Sequence, residues 1–123
     1  MTHKTILIVD DDEVVAGEIE KILKDLGMLV FKVYDGMCAK NLLEYEKFDL
    51  ILTDIRMPNL NGVELLHFVK RTARINHIPV ILMTGFSSMR DKRRARKLHF
   101  DGFLAKPFER KDLIDLTGSA RAA

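Results

Sequence analysis

FDLILTDIRMPNLNG, residues 48–62, decides how the rest of the chain is read. Leu50–Leu52 with its flanks (FDLILT) is a short apolar run, the pattern of a strand buried on both faces. The run stops at Thr53-Asp54. Pro58 and Asn61-Gly62 then mark a loop, after which Val63, Leu65, Leu66, Phe68 and Val69 form an apolar helical stripe. A buried strand, a carboxylate at its carboxyl end, a loop and an amphipathic helix make one βα unit.

Working outward, the same unit recurs. Thr5–Val9 (TILIV), Val80–Met83 (VILM) and Phe103–Leu104 (FL) read as further buried strands, and the more mixed Leu29–Val33 (LVFKV) reads as one nearer an edge. Between them, Val14, Val15, Ile19, Ile22, Leu23 and Leu26 recur at helical spacing, with Gly27 as a C-cap. Met37 to Tyr45 offers Leu42 and Leu43 as an inner face, with Cys38 expected to be buried or half-buried. Ser87 or Ser88 would cap a fourth helix running to about Leu98, and a short fifth begins after Pro107. Five alternations predict a parallel α/β sheet covered on both faces.

The chain's 123 residues amount to one domain, residues 1–117, with GSARAA (118–123) expected to be a flexible tail. A domain of this size buries enough surface to need neither disulfides nor a structural metal. The single cysteine excludes an internal disulfide and a multi-cysteine zinc site. No apolar run approaches the ~20 residues of a membrane span, and no secretory leader is visible, so a cytoplasmic location is expected. A net charge of +2 argues against bulk nucleic-acid binding. It conceals an asymmetry, with 12 Asp/Glu against 7 Lys/Arg in residues 1–62 and 6 against 13 in residues 63–123. Six of the eight residues from Arg90 to Lys97 are basic.

Chemistry in a doubly wound sheet collects at the carboxyl ends of the strands. Here those ends carry Asp10 and Asp11, then Asp54, then Thr84, with Lys106 following the last strand. Three carboxylates at one place repel each other unless a cation is present, and hard oxygen ligands of this kind suit Mg²⁺. Lys106 adds a positive charge and Thr84 a hydroxyl, a set able to hold a phosphoryl group, and a carboxylate can act as the nucleophile toward phosphorus. The constellation therefore reads as a Mg²⁺-dependent aspartyl phosphorylation site. Asp12 and Glu13 read more simply as residues that cap and complement a helix N-terminus.

With ILIVDDDE, LILTDIRMPNLNG, VILMTG and FLAKPF in order, the chain from residue 5 to about 116 resembles the receiver domain of two-component response regulators. The resemblance implies a flavodoxin-like (βα)5 fold, a doubly wound five-stranded parallel sheet of strand order 2-1-3-4-5. It implies that Asp54 is the phosphoacceptor and that Asp11 is a direct Mg²⁺ ligand, while Asp10 acts largely through water. The backbone carbonyl of Arg56 would complete the protein's share of the metal shell. Lys106, through a cis bond to Pro107, would contact the phosphoryl oxygens. Thr84 would hydrogen-bond to the phosphoryl group, and Phe103 would be the aromatic switch that rotates inward as Thr84 moves. The phosphoryl donor would be a sensor histidine kinase or a histidine phosphotransfer protein, or slowly a small acyl phosphate. Self-catalysed hydrolysis would follow, so the chain would be a signalling switch and not an enzyme, a monomer or a phosphorylation-dependent dimer.

Two positions depart from the family's pattern. His99-Phe100-Asp101 stands where Gly-Ala-Asp is common, and a large aromatic at 100 should alter packing between the fourth helix and the fifth strand. Phe103 lacks the hydroxyl that a Tyr would offer. Two other readings compete. A haloacid-dehalogenase-like phosphohydrolase would use Asp10 as nucleophile and Asp12 as general acid, but leaves DIRMPN unexplained and lacks an acidic pair after Lys106. A degenerate receiver would serve only as a docking module, although every functional position is intact. The run Arg90–Lys97 reads as a solvated helix face or as a docking site for an acidic partner, with nucleic acid the weaker candidate.

Overall fold

The computed structural model describes residues 4–85, 93 and 100–122, the last five by backbone alone. Five strands, β1 (Thr5–Val9), β2 (Leu29–Val33), β3 (Leu50–Asp54), β4 (Val80–Thr84) and β5 (Gly102–Ala105), form one sheet in the order β2-β1-β3-β4-β5. Every neighbouring pair is parallel. The described helices are α1 (Glu13–Asp25), α2 (Gly36–Leu42), α3 (Gly62–Arg71) and α4 (Arg110–Ala122). This is the expected flavodoxin-like order. None of the described helices is long and apolar enough to cross a membrane.

Strand alternation divides the core in two. On one face, Leu7, Val9, Ile51, Val80 and Leu82 join Ala39 and Leu43 of the α2 segment and Leu65, Leu66 and Val69 of α3. On the other, Ile6, Ile8, Leu50, Leu52, Ile81 and Met83 meet Ala16, Ile19 and Leu23 of α1 and Leu113 of α4. Full burial of each Val, Leu, Ile or Met side chain among these contributes roughly 1.5–3 kcal/mol. β2 lies at an edge, and its burial is accordingly incomplete, with Leu29 and Phe31 exposed.

Local signals set the helix ends. Asp12 caps α1 by accepting from the backbone N–H groups of Val14 at 3.0 Å and Val15 at 3.3 Å. The other end closes with Gly27 at φ 83°, its N–H on Lys24 O at 2.9 Å, and Met28 N–H on Leu23 O at 3.1 Å. That is the paired bonding of a Schellman turn, and it explains why a glycine follows the last apolar position. Asn61 and Glu64 form a reciprocal capping box at the start of α3.

One expectation needs adjustment. Cys38 is exposed, because α2 starts at Gly36 and turns Ala39 and Leu43 inward, which leaves position 38 outside. The last helix runs to Ala122, past the boundary expected at Thr117. The expected fourth helix and its basic run lie outside the described residues except for Arg93, which is helical and exposed.

Candidate functional site

β1 and β3 are adjacent and parallel, so their carboxyl ends bring Asp10 and Asp54 to one edge of the sheet. Both continue the face that carries Ile8 and Leu52. Asp10 is fully buried. Its Oδ1 accepts the N–H of Asp12 at 3.0 Å and its Oδ2 accepts from Lys106 Nζ at 2.7 Å. Lys106 arrives just after β5, across a cis bond to Pro107, and its Nζ also lies 3.7 Å from Asp54 Oδ2. Thr84 ends β4 and is buried, with its carbonyl accepting the Lys106 N–H at 2.7 Å. The strand ends thus hold each other in place. Around them lies an open cleft of about 400 Å³ lined by Asp10, Asp11, Asp12, Val15, Asp54, Arg56, Thr84, Gly85 and Lys106.

Asp54 sits in a tight backbone setting. Its Oδ1 accepts the N–H of Ile55 at 3.0 Å, a proton shared with Met83 O at 2.8 Å. Gly62 N–H closes the following loop on Ile55 O at 2.8 Å. A side chain at Gly62 would drive into the Asp54 carbonyl oxygen and come within 2.8 Å of Ile55 Cα, so only glycine permits this approach. Burial pushes the Asp54 carboxyl from 3.8 up to about 6. The Lys106 charge opposes that rise, the charges of Asp10 and Asp11 add to it, and the Ile55 N–H opposes it.

One carboxylate oxygen from each of Asp10, Asp11 and Asp54 lies within 4.8 Å of the others. Octahedral Mg²⁺ with ligands at about 2.1 Å spaces them about 3.0 Å apart in cis and 4.2 Å in trans. The oxygens are thus close enough together for one divalent cation to be held by all three, directly or through water. Two buried carboxylates, Asp10 and Asp54, and the exposed Asp11 beside a single lysine also supply the surplus negative charge that a divalent cation needs. Asp12, by contrast, spends its carboxylate on the α1 cap, and Asp10 is tied to Lys106. Both observations oppose the phosphohydrolase assignment of nucleophile and acid.

Phe103 is half-buried on the α2/α3 face, and its ring lies 5.9 Å from that of Phe100 at 58°. Phe100 therefore packs directly on the residue expected to act as the switch. Asp101 carries more than its position suggested. Its Oδ2 accepts from Val80 N–H at 2.8 Å and from Lys70 Nζ at 2.9 Å, tying the entry of β5 to β4 and α3.

The sequence profile of the response regulator receiver domain matches residues 6–117. The chain belongs to this family. The receiver is 34% identical over 104 residues to the chemotaxis protein CheY of Pseudomonas aeruginosa, with 84% of each chain covered. It is 34% identical over 116 residues to the probable transcriptional regulator ycf29 of Pyropia yezoensis, covering 94% of this chain and 52% of that one. The receiver thus spans about half the length of several curated relatives it matches. Its fold also superposes on the receiver domain of a sensor histidine kinase from Pseudomonas aeruginosa PAO1, solved with a magnesium ion coordinated in its active-site cleft. That match has a TM-score of 0.90 and 29% identity, covering 99% of this chain and 100% of the other. Receiver domains are phosphoacceptor switches of two-component systems, and the cluster of Asp10, Asp11 and Asp54 fits the magnesium and phospho-aspartate site of such a domain.

Proposed function

We propose that Asp54 is the phosphoacceptor and that this receiver takes its phosphoryl group from a partner's phosphohistidine. The observation that carries the assignment is the unequal engagement of the buried carboxylates. Both oxygens of Asp10 are held, one by a backbone N–H and one by Lys106 at 2.7 Å. Asp54 Oδ2 meets Lys106 Nζ only at 3.7 Å, beyond hydrogen-bonding reach, which supports the reading of it as the oxygen that attacks phosphorus. As its bond to phosphorus forms, the bond from phosphorus to the donor's imidazole nitrogen breaks, and the imidazole leaves with the electron pair and takes up a proton. Hydrolysis reverses the loading: a water oxygen bonds to phosphorus, the acyl phosphate's P–O bond breaks, and Asp54 returns as a carboxylate beside inorganic phosphate. Lys106 neutralises phosphoryl charge, and Thr84 hydrogen-bonds to it. Asp10, Asp11, Asp54 and the Arg56 carbonyl would hold Mg²⁺, which supplies charge neutralisation at the transferring oxygens.

A phosphoryl group shifts a two-state element only if it contacts the two states differently. Thr84 makes that contact in this reading, and Phe103 responds from the adjacent strand. With Mg²⁺ and acetyl phosphate, the intact mass rises by one hydroxylamine-labile phosphoryl group. Asp54→Ala abolishes the gain, whereas Asp10→Ala only slows it; the reverse pattern overturns the assignment. Thr84→Ala should still accept phosphate while amide shifts around Phe103 no longer follow phosphorylation. The downstream partner in this reading presents acidic groups to Arg90–Lys97, so replacing Arg93, Arg94 and Lys97 with Gln weakens that complex without affecting Asp54.

A further inference from the structure

The loop from Ile55 to Asn61 is anchored at one end by Ile55, whose N–H lies on Met83 O and whose carbonyl takes the Gly62 N–H. Its other flank rests on α2. Gly36, the buried first residue of that helix, stands so close to Leu60 that an added Cβ would overlap the Leu60 carbonyl oxygen. The same Cβ would lie 2.8 Å from Leu60 Cβ and 2.9 Å from its carbonyl carbon. Between these two anchors lies Arg56 on the cleft, followed by Asn59 in the left-handed region at φ 67°. Met57 and Leu60 are half-buried against the core that α2 and α3 share. The loop is therefore wedged between the end of β3 and the start of α2.

We propose that Gly36 is a positioning residue for the metal site: by letting α2 approach Leu60, it sets where the loop presents the Arg56 carbonyl. The inference rests on the reading of that carbonyl as a metal ligand. Metal–ligand distances tolerate changes of only about 0.2 Å. Relieving the 2.8 Å approach to the 3.4 Å of ordinary contact already requires a shift of about 0.6 Å, and the overlap with the Leu60 carbonyl oxygen requires a larger one. The bond from Gly62 N–H to Ile55 O fixes the loop's base, so displacement at Leu60 passes into residues 56–59. No contact between Gly36 and the metal or phosphate is needed.

The test is a Mg²⁺ titration of the unphosphorylated domain, followed through backbone amide shifts, with Gly36→Ala beside the wild type. Gly36→Ala should weaken Mg²⁺ binding by about tenfold, the usual cost of disturbing a ligand's support. Its phosphorylation by acetyl phosphate should be slow at limiting Mg²⁺ and recover toward wild type at saturation. Leu43→Ala, which opens a cavity at the far end of α2, should lower the melting temperature yet leave Mg²⁺ affinity within about twofold. If Gly36→Ala does not fold, Leu60→Ala replaces it and should weaken Mg²⁺ binding by about threefold as the loop loses its packing. Unchanged affinity in the folded loop variant overturns the proposal when Asp11→Asn does weaken binding. Unchanged affinity in Asp11→Asn as well overturns the metal reading itself, and the proposal with it.

Discussion

Replacing Asp54 by Asn should stabilise the domain above about pH 6 and leave its stability nearly unchanged at pH 4. Asn keeps the shape and an Oδ1 acceptor for the Ile55 N–H, and Lys106 keeps Asp10 at 2.7 Å. What is lost is a charge that the folded state holds reluctantly. The folded carboxyl titrates at about 6 against 3.8 for the ordinary group. A raised carboxyl pKa means the native chain keeps its proton longer than the unfolded chain. Wild-type stability therefore falls as pH rises from about 4 to 6, and the full cost is present above that window. Two units at 1.36 kcal/mol each set a ceiling of about 3 kcal/mol. The cleft is open to solvent on one side, so screening reduces the expected gain to about 1–3 kcal/mol. Urea denaturation of both proteins at each unit from pH 4 to pH 8, with EDTA present, gives the difference directly, because every other titrating group is common to the two. Added Mg²⁺ should narrow the gap at pH 7 by stabilising the wild type. An Asn variant whose advantage is the same at pH 4 and pH 8, or that is less stable than wild type at pH 8, refutes the account of Asp54.

Lys106→Met should lower stability by about 3–5 kcal/mol by leaving the fully buried Asp10 carboxylate without its partner, with saturating Mg²⁺ recovering part of the loss; calorimetry with and without the ion measures both. Gly62→Ala should cost about 3 kcal/mol through overlap with the Asp54 carbonyl, read from the shift in urea midpoint. Asp101→Ala should cost about 1–3 kcal/mol because Val80 N–H loses its acceptor, and Asp101→Asn clearly less; equal losses would show that the Lys70 ion pair is what matters.

The strands were legible because a doubly covered parallel sheet demands unbroken apolar runs, and few stretches of this chain qualify. Their ends then disclosed the acidic cluster, since Asp10, Asp54 and Thr84 directly follow or terminate such runs. Contacts between distant segments were not legible. Nothing local to Asp101 points to Lys70, 31 residues earlier, and nothing in the letters of Gly36 or Gly62 reveals which backbone each one faces. Cys38 was misjudged through helical phase: a start at Gly36 sends Ala39 inward and turns Cys38 to solvent. The Asp10–Lys106 pair was obscured for another reason. A lysine near an intended phosphoryl group suggests a ligand contact, while the structure gives it a structural partner as well.

The alternation of strand side chains has a consequence for how such a domain can diversify. Asp10 and Asp54 extend the face covered by α1 and α4, whereas Thr84 and Phe103 follow the residues that face α2 and α3. In the proposed switch, a message from the carboxylates to Phe103 would therefore have to pass through the plane of the sheet at its rim, where β4 separates β3 from β5. The sheet acts as a bulkhead with one port. The two cores lie on opposite sides of it, so in this reading the surface that answers the switch could be rebuilt for a new listener while the chemistry that sets it stays as it is.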